Sequence, residues 1–317
     1  GCEDCSHISV RPADNLQSIV YRVREARRTG KIPLEQVVSL ELSEGIYRIS
    51  QPLALTAEDS HLRVIADKTG DVVISGGFEL PAFVEHRNGV WRTKVPVGCR
   101  FDQMWVNGRF ATRARMPNEG FAFMQSPCEE SVDPKSGKVV DQSKKAFVSG
   151  VKEAAALAEE ERNGNLGRAF GRIYQLWVMG LHRIISFDSK DRIVKVAPDT
   201  ERPMLNGWGL TTRYVLENLR VALDAPGEWY HDVASGELFY MPRHGERIEE
   251  TRAVIPMTMK LLQVNGSDIV FKGVTFADCG YDLSRGVLGV QAQYEAPAAV
   301  AVSDSESVDF ISCSFLR

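Results

Sequence analysis

Two stretches near the end of the chain, "IVFKGVTF" (269–276) and "VDFISCSF" (308–315), repeat one pattern at an offset of 39 residues. Phe271 meets Phe310, Thr275 meets Ser314, and Phe276 meets Phe315. Each follows a small polar turn, "NGSD" and "SDSES". A short strand that recurs this way cannot bury its own apolar face; copies must stack on one another. The pattern points to rungs of a parallel β-helix. Such a stack needs further rungs and a cap over its last edge, so the expectation is that these residues are one portion of a longer chain. Cys279 and Cys313 read as equivalent positions in the two segments, and as small buried hydrophobes.

Short strands dominate elsewhere. "VVSLELSEGIYRIS" (37–50) and "HLRVIADKTGDVVISGG" (61–77) alternate apolar and polar residues and break at Gly or Asp. "RIISFDSKDRIVKV" reads as a hairpin with Ser189, Lys190 and Asp191 at its tip. Two helical patterns interrupt the strands. Over 15–29, Leu16, Ile19, Val20, Val23 and Ala26 share one face, with Asp14 or Asn15 as cap and Gly30 as stop. Over 150–162, "GVKEAAALAEEER" reads as a helix in an exposed insertion.

The hairpin "GEWYHDVASGELFYMPRHGE" (227–246) sets Trp229 and Tyr230 against Phe239 and Tyr240 across a turn ending at Gly236. Neighbouring residues on a strand point to opposite faces. One aromatic of each pair should therefore face a core, and the other need not. Cross-strand aromatic pairs are an ordinary way to hold a hairpin, which favours packing over a sugar platform.

Composition narrows the partners. The 317 residues are 44% hydrophobic with a net charge of −4, enough for a sizeable core and two domains. No basic patch stands out, so nucleic acid is not an expected partner, and no run approaches the roughly 18 apolar residues of a membrane span. Cys2 and Cys5 form a C-x-x-C without the second pair or spaced histidines that zinc requires, so incidental thiols or a local disulfide are expected and no metal or other cofactor. Gly1-Cys2 also matches the residue pair left by lipoprotein processing. The six histidines lack ligand spacing, and no G-x-S-x-G occurs. Of the tryptophans, Trp91, Trp105, Trp177 and Trp229 read mainly as core, and Trp208, between two glycines, as the exposed one.

The richest polar segment is the excursion between the two repeats, residues 277–300. It offers Asp278, Tyr281, Asp282, Arg285, Gln291, Gln293 and Glu295. Loops held on a rigid scaffold are where binding groups collect. One reading makes it a wall of a substrate cleft; the other makes it a solvated loop whose acids pair with Arg285.

Several longer strings resemble a known family. "GIYRISQPLALTAEDS" followed by "VVISGG", then "MWVNGRFATRARMPNEG", "LDAPGEWYHDVASGELFYMPRHGE" and "VFKGVTFADC" are similar to the strings of bacterial right-handed parallel β-helix proteins. The chain is identified as resembling glycoside hydrolase family 141, with family 120 β-xylosidases as a near relation. The resemblance spans about residues 8–317 apart from 125–170.

It implies an all-β fold: a capping helix and first turns of a right-handed parallel β-helix over 1–80, an inserted β-sandwich over 81–255, and continuing rungs over 256–317. It further implies hydrolysis of plant cell-wall or related glycans, at α-L-fucoside or xylan-type linkages, by two carboxylates. In such proteins the pair is expected on later rungs, so no catalytic residue carries over. Asp278, Asp282 and Glu295 are the acids within reach of a cleft here, and Asp278, Tyr281, Asp282, Gln291 and Gln293 the expected sugar-binding groups. A secreted, periplasmic or outer-surface bacterial location is implied, with Cys2 as a lipid attachment point. Two other activities fit the scaffold: a polysaccharide lyase, and a non-catalytic glycan-binding module or adhesin.

Overall fold

A computed structural model of the chain describes residues 7–67, 70–128, 130–176, 178–204, 212–281 and 297–317. Strands dominate, and the described residues hold two α-helices, Leu16–Arg28 (α1) and Val151–Arg162 (α2). The chain divides into two compact units. The first takes the described residues up to Glu79, with Val254–Tyr281 and Pro297–Arg317; the second takes Leu80–Ala253.

The first unit is built from three parallel sheets. One runs His7–Val10, Val38–Leu42, Leu62–Ala66, Ile269–Lys272, Val308–Ile311, in that spatial order. A second runs Gly45–Arg48, Val72–Ser75, Val274–Ala277, Ser314–Leu316. A third runs Leu53–Leu55, Leu262–Val264, Val300–Val302. After the first strand and α1, the chain visits the sheets in one repeating order. The segment 80–253 departs after a strand of the second sheet, and the chain re-enters on the third, so the order survives the insertion.

The register confirms the repeat. Phe271 pairs with Phe310, and Phe276 with Phe315. The rings stack at 5.0 and 5.4 Å, nearly coplanar at 8° and 11°. The same register places Cys313 beside the position of Val274, not that of Cys279, so the two cysteines are not equivalent. Both thiols are free and partly buried against the core, and burial raises that of Cys279 to about 11.

Helix α1 buries Leu16, Ile19, Val20 and Val23, with Ala26 packed beside them, as its periodicity predicts. Asn15 is the cap: its side chain accepts from the Ser18 N–H at 2.9 Å. Arg24, on the same helix, grips the buried Asp59 with Nε 2.7 Å from one carboxylate oxygen. Asp59 also accepts the Thr56 N–H at 2.7 Å. The acid of the "EDS" string therefore anchors the helix. Tyr47, from "GIYR", is buried and donates to the Val10 carbonyl at 2.8 Å.

In the second unit a five-stranded sheet orders Thr112–Arg113, Glu228–Asp232, Glu237–Tyr240, Trp91–Lys94 and Val84–Glu85. An eight-stranded sheet is centred on Arg213–Glu217, Phe170–Gln175, Val178–Asp188 and Ile193–Ala197. The hairpin expected around Ser189–Asp191 joins the last two.

The aromatic hairpin pairs Trp229 with Tyr240 and Tyr230 with Phe239. All four rings are buried, on both faces of the sheet. The packing reading holds for both rings of each pair: this sheet is covered on each side, so the hairpin is core and no sugar platform. Trp91 and Trp105 are likewise buried, while Trp177 and Trp208 lie outside the described residues. Helix α2 corrects an expectation. It is not an exposed insertion: Ala154, Ala156 and Leu157 pack into the core around Ile173, Tyr214 and Leu216, and Glu160 is buried with them. Small alanines let the helix lie close without a strong apolar stripe.

Candidate functional site

The strands of the second parallel sheet end at polar groups: Arg48 and Ser75 close the first two, and Asp278 and Arg317 directly follow the last two. The excursion expected to hold the site leaves this edge after Ala277. Asp278 turns the chain there with a φ of 61°, a conformation Asp tolerates better than most residues. Its backbone N–H donates to the Leu316 carbonyl at 3.2 Å.

The Asp278 side chain is buried between two donors. The Ser75 hydroxyl donates to Oδ2 at 2.6 Å, and Arg317 Nε donates to Oδ1 at 2.7 Å. Ser75 Oγ in turn accepts the Gly77 N–H at 3.0 Å. A Cβ on Gly77 would stand 2.5 Å from a Val254 methyl and 2.9 Å from the Asp278 Cβ, and one on Gly76 2.5 Å from the Thr258 methyl. Side chains there would collide with Val254, Asp278 and Thr258, which is the physical content of the "ISGG" string.

Both oxygens of Asp278 are therefore engaged, and the residue holds a corner. The edge also carries Arg48, an exposed cation that donates to the Gly77 carbonyl at 3.1 Å and pairs with Glu79 at 3.4 Å. Guanidinium groups in such a setting can donate to sugar hydroxyls. Tyr281 is half-buried three residues beyond Asp278. Asp282, Arg285, Gln291, Gln293 and Glu295 lie outside the described residues, as do Cys2 and Cys5.

The second unit contains buried ionisable groups that sequence reading passed over. Glu228, of "PGEWY", accepts the N–H groups of Arg115, Asp224 and Ala225 at 3.3, 3.2 and 3.1 Å. Burial outweighs these bonds and lifts its carboxyl to about 7. Glu160 accepts from the Arg220 N–H and, at 2.9 Å, from the Tyr230 hydroxyl; burial raises it too.

Glu217 joins Arg113 at 3.0 Å and Arg172 at 2.5 Å, and Arg113 also meets Asp102 at 3.3 Å. Burial alone would raise the Glu217 carboxyl, but the two guanidinium charges hold it below the usual range. His231 is buried, stacked on Phe101 at 5.0 Å, and pushed down to about 4 by burial. Perturbed groups of this kind often mark active sites. Here Glu228 closes a turn, Glu160 ties α2 to the aromatic hairpin, and Glu217 binds strands together; each has a structural partner for its charge or proton. Among the described residues no cluster of three or more His, Cys, Asp or Glu side chains could hold a metal ion.

Residues 88–243 match the family model for the GH141 insertion domain. The matched segment is just under half of the chain. Its boundaries fall inside the second unit, between the two strands that flank the departure from the parallel sheets. A solved structure described as a glycoside hydrolase superposes with a TM-score of 0.77 at 22% identity, over 97% of this chain and 61% of that one. The chain thus spans less than two thirds of that structure's length. Another, described as the complex structure of XylC with xylose, gives a TM-score of 0.34 at 10% identity, over 84% of this chain and 34% of that one. No curated protein matches. The likeness to glycoside hydrolase family 141 seen in the strings "PGEWY" and "NGRFATRAR" is thereby upheld by the GH141 insertion domain and by the fold.

Proposed function

We propose that the chain is part of a glycoside hydrolase that cleaves O-glycosidic bonds of plant cell-wall or related complex glycans, at α-L-fucoside or xylan-type linkages. The match of residues 88–243 to the GH141 insertion domain carries this reading. In it, the three parallel sheets are the walls of a right-handed parallel β-helix, and 81–255 is a β-sandwich inserted between its turns. The two carboxylates that glycoside hydrolysis needs sit on further rungs. The excursion after Ala277 forms one wall of the cleft, with Tyr281, Asp282, Gln291 and Gln293 contacting sugar and Asp278 fixing the corner from which it leaves. A secreted, periplasmic or outer-surface location, with Cys2 as a lipid attachment point, suits a polymer too large to enter the cell.

The test is a screen of the full-length protein on aryl glycosides and plant glycans, read as reducing sugar released. An unsaturated, ultraviolet-absorbing product that disappears with a chelator would make it a lyase; binding without turnover would make it an adhesin. In the active protein, Asp278→Asn, Asp282→Asn and Glu295→Gln should each lower activity about 5- to 150-fold, the effect of losing one contact. Complete loss from one of them at unchanged stability would place a catalytic acid in this segment.

A further inference from the structure

The eight-stranded sheet carries a row of side chains that none of its structural contacts explains. Phe123 pairs with Arg213, Arg213 with Tyr174, and Tyr174 with Met179, on four adjacent strands. Residues paired in this way leave the same face of a sheet side by side. The opposite face holds Tyr214 and Ile173, which are core. Phe121 folds onto the row: its ring centre lies 4.9 Å from that of Tyr174, edge to face at 72°. The Arg213 guanidinium stands over both rings, 4.6 Å from the centre of Phe121 and 5.5 Å from that of Tyr174.

This end of the face is open. Phe123 is 49% exposed and Arg213 is exposed, with Phe121, Tyr174 and Met179 half-buried. Among the described residues no carboxylate pairs with Arg213; the face's acid, Glu217, is taken by Arg113 and Arg172. Arg115 and Arg183 stand on the same face, in the row of Glu217. A protein of net charge −4 has therefore gathered arginines beside exposed aromatics. They come from strands far apart in sequence, so no linear basic run announces them.

We propose that this row binds an acidic sugar, a hexuronate residue whose C–H face lies on Tyr174 and Phe123 and whose carboxylate pairs with Arg213. A pyranose ring offers an apolar face that covers an aromatic surface. A guanidinium matches a carboxylate with two parallel N–H donors. Held over two rings, Arg213 has less side-chain freedom to lose on binding than a free surface arginine. A neutral sugar would leave that charge unanswered. The choice of a sugar rests on the glycan-directed function proposed above; the site's preference for an anion rests on the row alone.

The test is titration calorimetry on the full chain with trigalacturonate, its methyl-esterified neutral form, and a short single-stranded oligonucleotide. Trigalacturonate is expected to bind, with the ester at least about tenfold weaker. Arg213→Gln should weaken trigalacturonate by about tenfold or more at unchanged melting temperature, and Tyr174→Ala should do likewise. Lys190→Gln, at a distant hairpin tip, should change nothing. Should Tyr174→Ala fail to fold, the exposed Arg213 still decides. No binding of trigalacturonate, equal binding of its ester or of the oligonucleotide, or full affinity in Arg213→Gln would each overturn the site. Hydrolysis in the activity screen with no binding here would leave the proposed function standing and remove this one; binding here without hydrolysis would do the reverse.

Discussion

The two units bury different chemistry. Around the parallel sheets the interior is hydrocarbon repeated strand by strand: Val72 over Val274, Ile74 over Phe276, Val64 over Phe271. Its buried acids, Asp59 and Asp278, sit where the chain turns, and its buried Arg27 donates to backbone carbonyls from α1. The inserted unit instead carries Glu160, Glu217, Glu228 and His182 among its buried residues, each met by its own hydrogen-bond partner, and a buried His231 stacked on Phe101. A stack propagates one solution, whereas an insertion solves each burial separately. The first unit should then respond to lost volume and the second to lost charge and to pH.

The sharpest attempt to break this contrast is Phe271→Ala. Phe271 is fully buried, stacked on Phe310 and edge to face with Phe276 at 5.7 Å. Truncating a buried phenylalanine costs about 3–5 kcal/mol. Hydrogen exchange should rise in peptides of the parallel sheets, with 88–243 protected as before. Equal loss in both units would mean that they unfold together.

Glu217→Gln comes next. It leaves Arg113, almost fully buried, with Asp102 as its remaining acid. Removing one partner of a buried pair costs about 3–5 kcal/mol, and the amide, which still accepts hydrogen bonds, should keep the loss near the lower end. Exchange should quicken in strands 170–175 and 213–217. A change below about 1 kcal/mol would show that Asp102 alone suffices for Arg113, and that the buried charges are not what this unit leans on.

The pH dependence separates the units without a large loss. Burial lifts Glu228 from 4.5 to about 7, so the folded state keeps a proton that the unfolded chain has released. The stability this contributes is complete below about 4.5 and is lost as pH rises through about 7. His231 runs the other way: lowered from 6.5 to about 4, its contribution is present above about 6.5 and lost as pH falls through about 4. Glu228→Gln should flatten the loss of stability of the inserted unit between about pH 4.5 and 7, and leave the parallel sheets unchanged. An unaltered slope in the variant would assign that pH dependence to another group.

These terms also mark what could be read in advance. The Phe271–Phe310 repeat, the α1 face, the Ser189–Asp191 hairpin and the packing role of the 227–246 aromatics are local patterns, and local patterns survive in sequence. The strings resembling family 141 turned out to be scaffold keys: Tyr47, Asp59, Gly77 and Glu228 each hold a backbone or a neighbouring rung in place. That is why they spoke to architecture more than to chemistry. Glu160 read as surface because an acid in an Ala- and Glu-rich helix usually is. Its burial depends on Tyr230 and Arg220, which lie more than 50 residues away. The row of Phe123, Arg213 and Tyr174 depends on register among three strands and leaves no trace in any one of them. Of the candidate site, Asp278 could be placed from the repeat, but its Ser75 and Arg317 partners come from neighbouring rungs.

The smallest effect sharpens the comparison from the other side. Asn15 caps α1 from an extended conformation, with φ −81° and ψ 109°, and its side chain satisfies one of the N–H groups that a helix start leaves open. Replacing such a cap by alanine costs about 1 kcal/mol. In Asn15→Ala the first turn should fray, read as faster exchange at 16–19, while Arg24, further along, keeps its grip on Asp59. The melting temperature should fall slightly and the inserted unit should not respond. Arg24 and the apolar face of Leu16, Ile19, Val20 and Val23 hold the helix independently of its cap, which is why the expected loss is local. A loss above about 2 kcal/mol would exceed what a cap contributes. It would mean that the helix start protects the stack of parallel strands itself, and that this unit, too, depends on a partner found once in the chain.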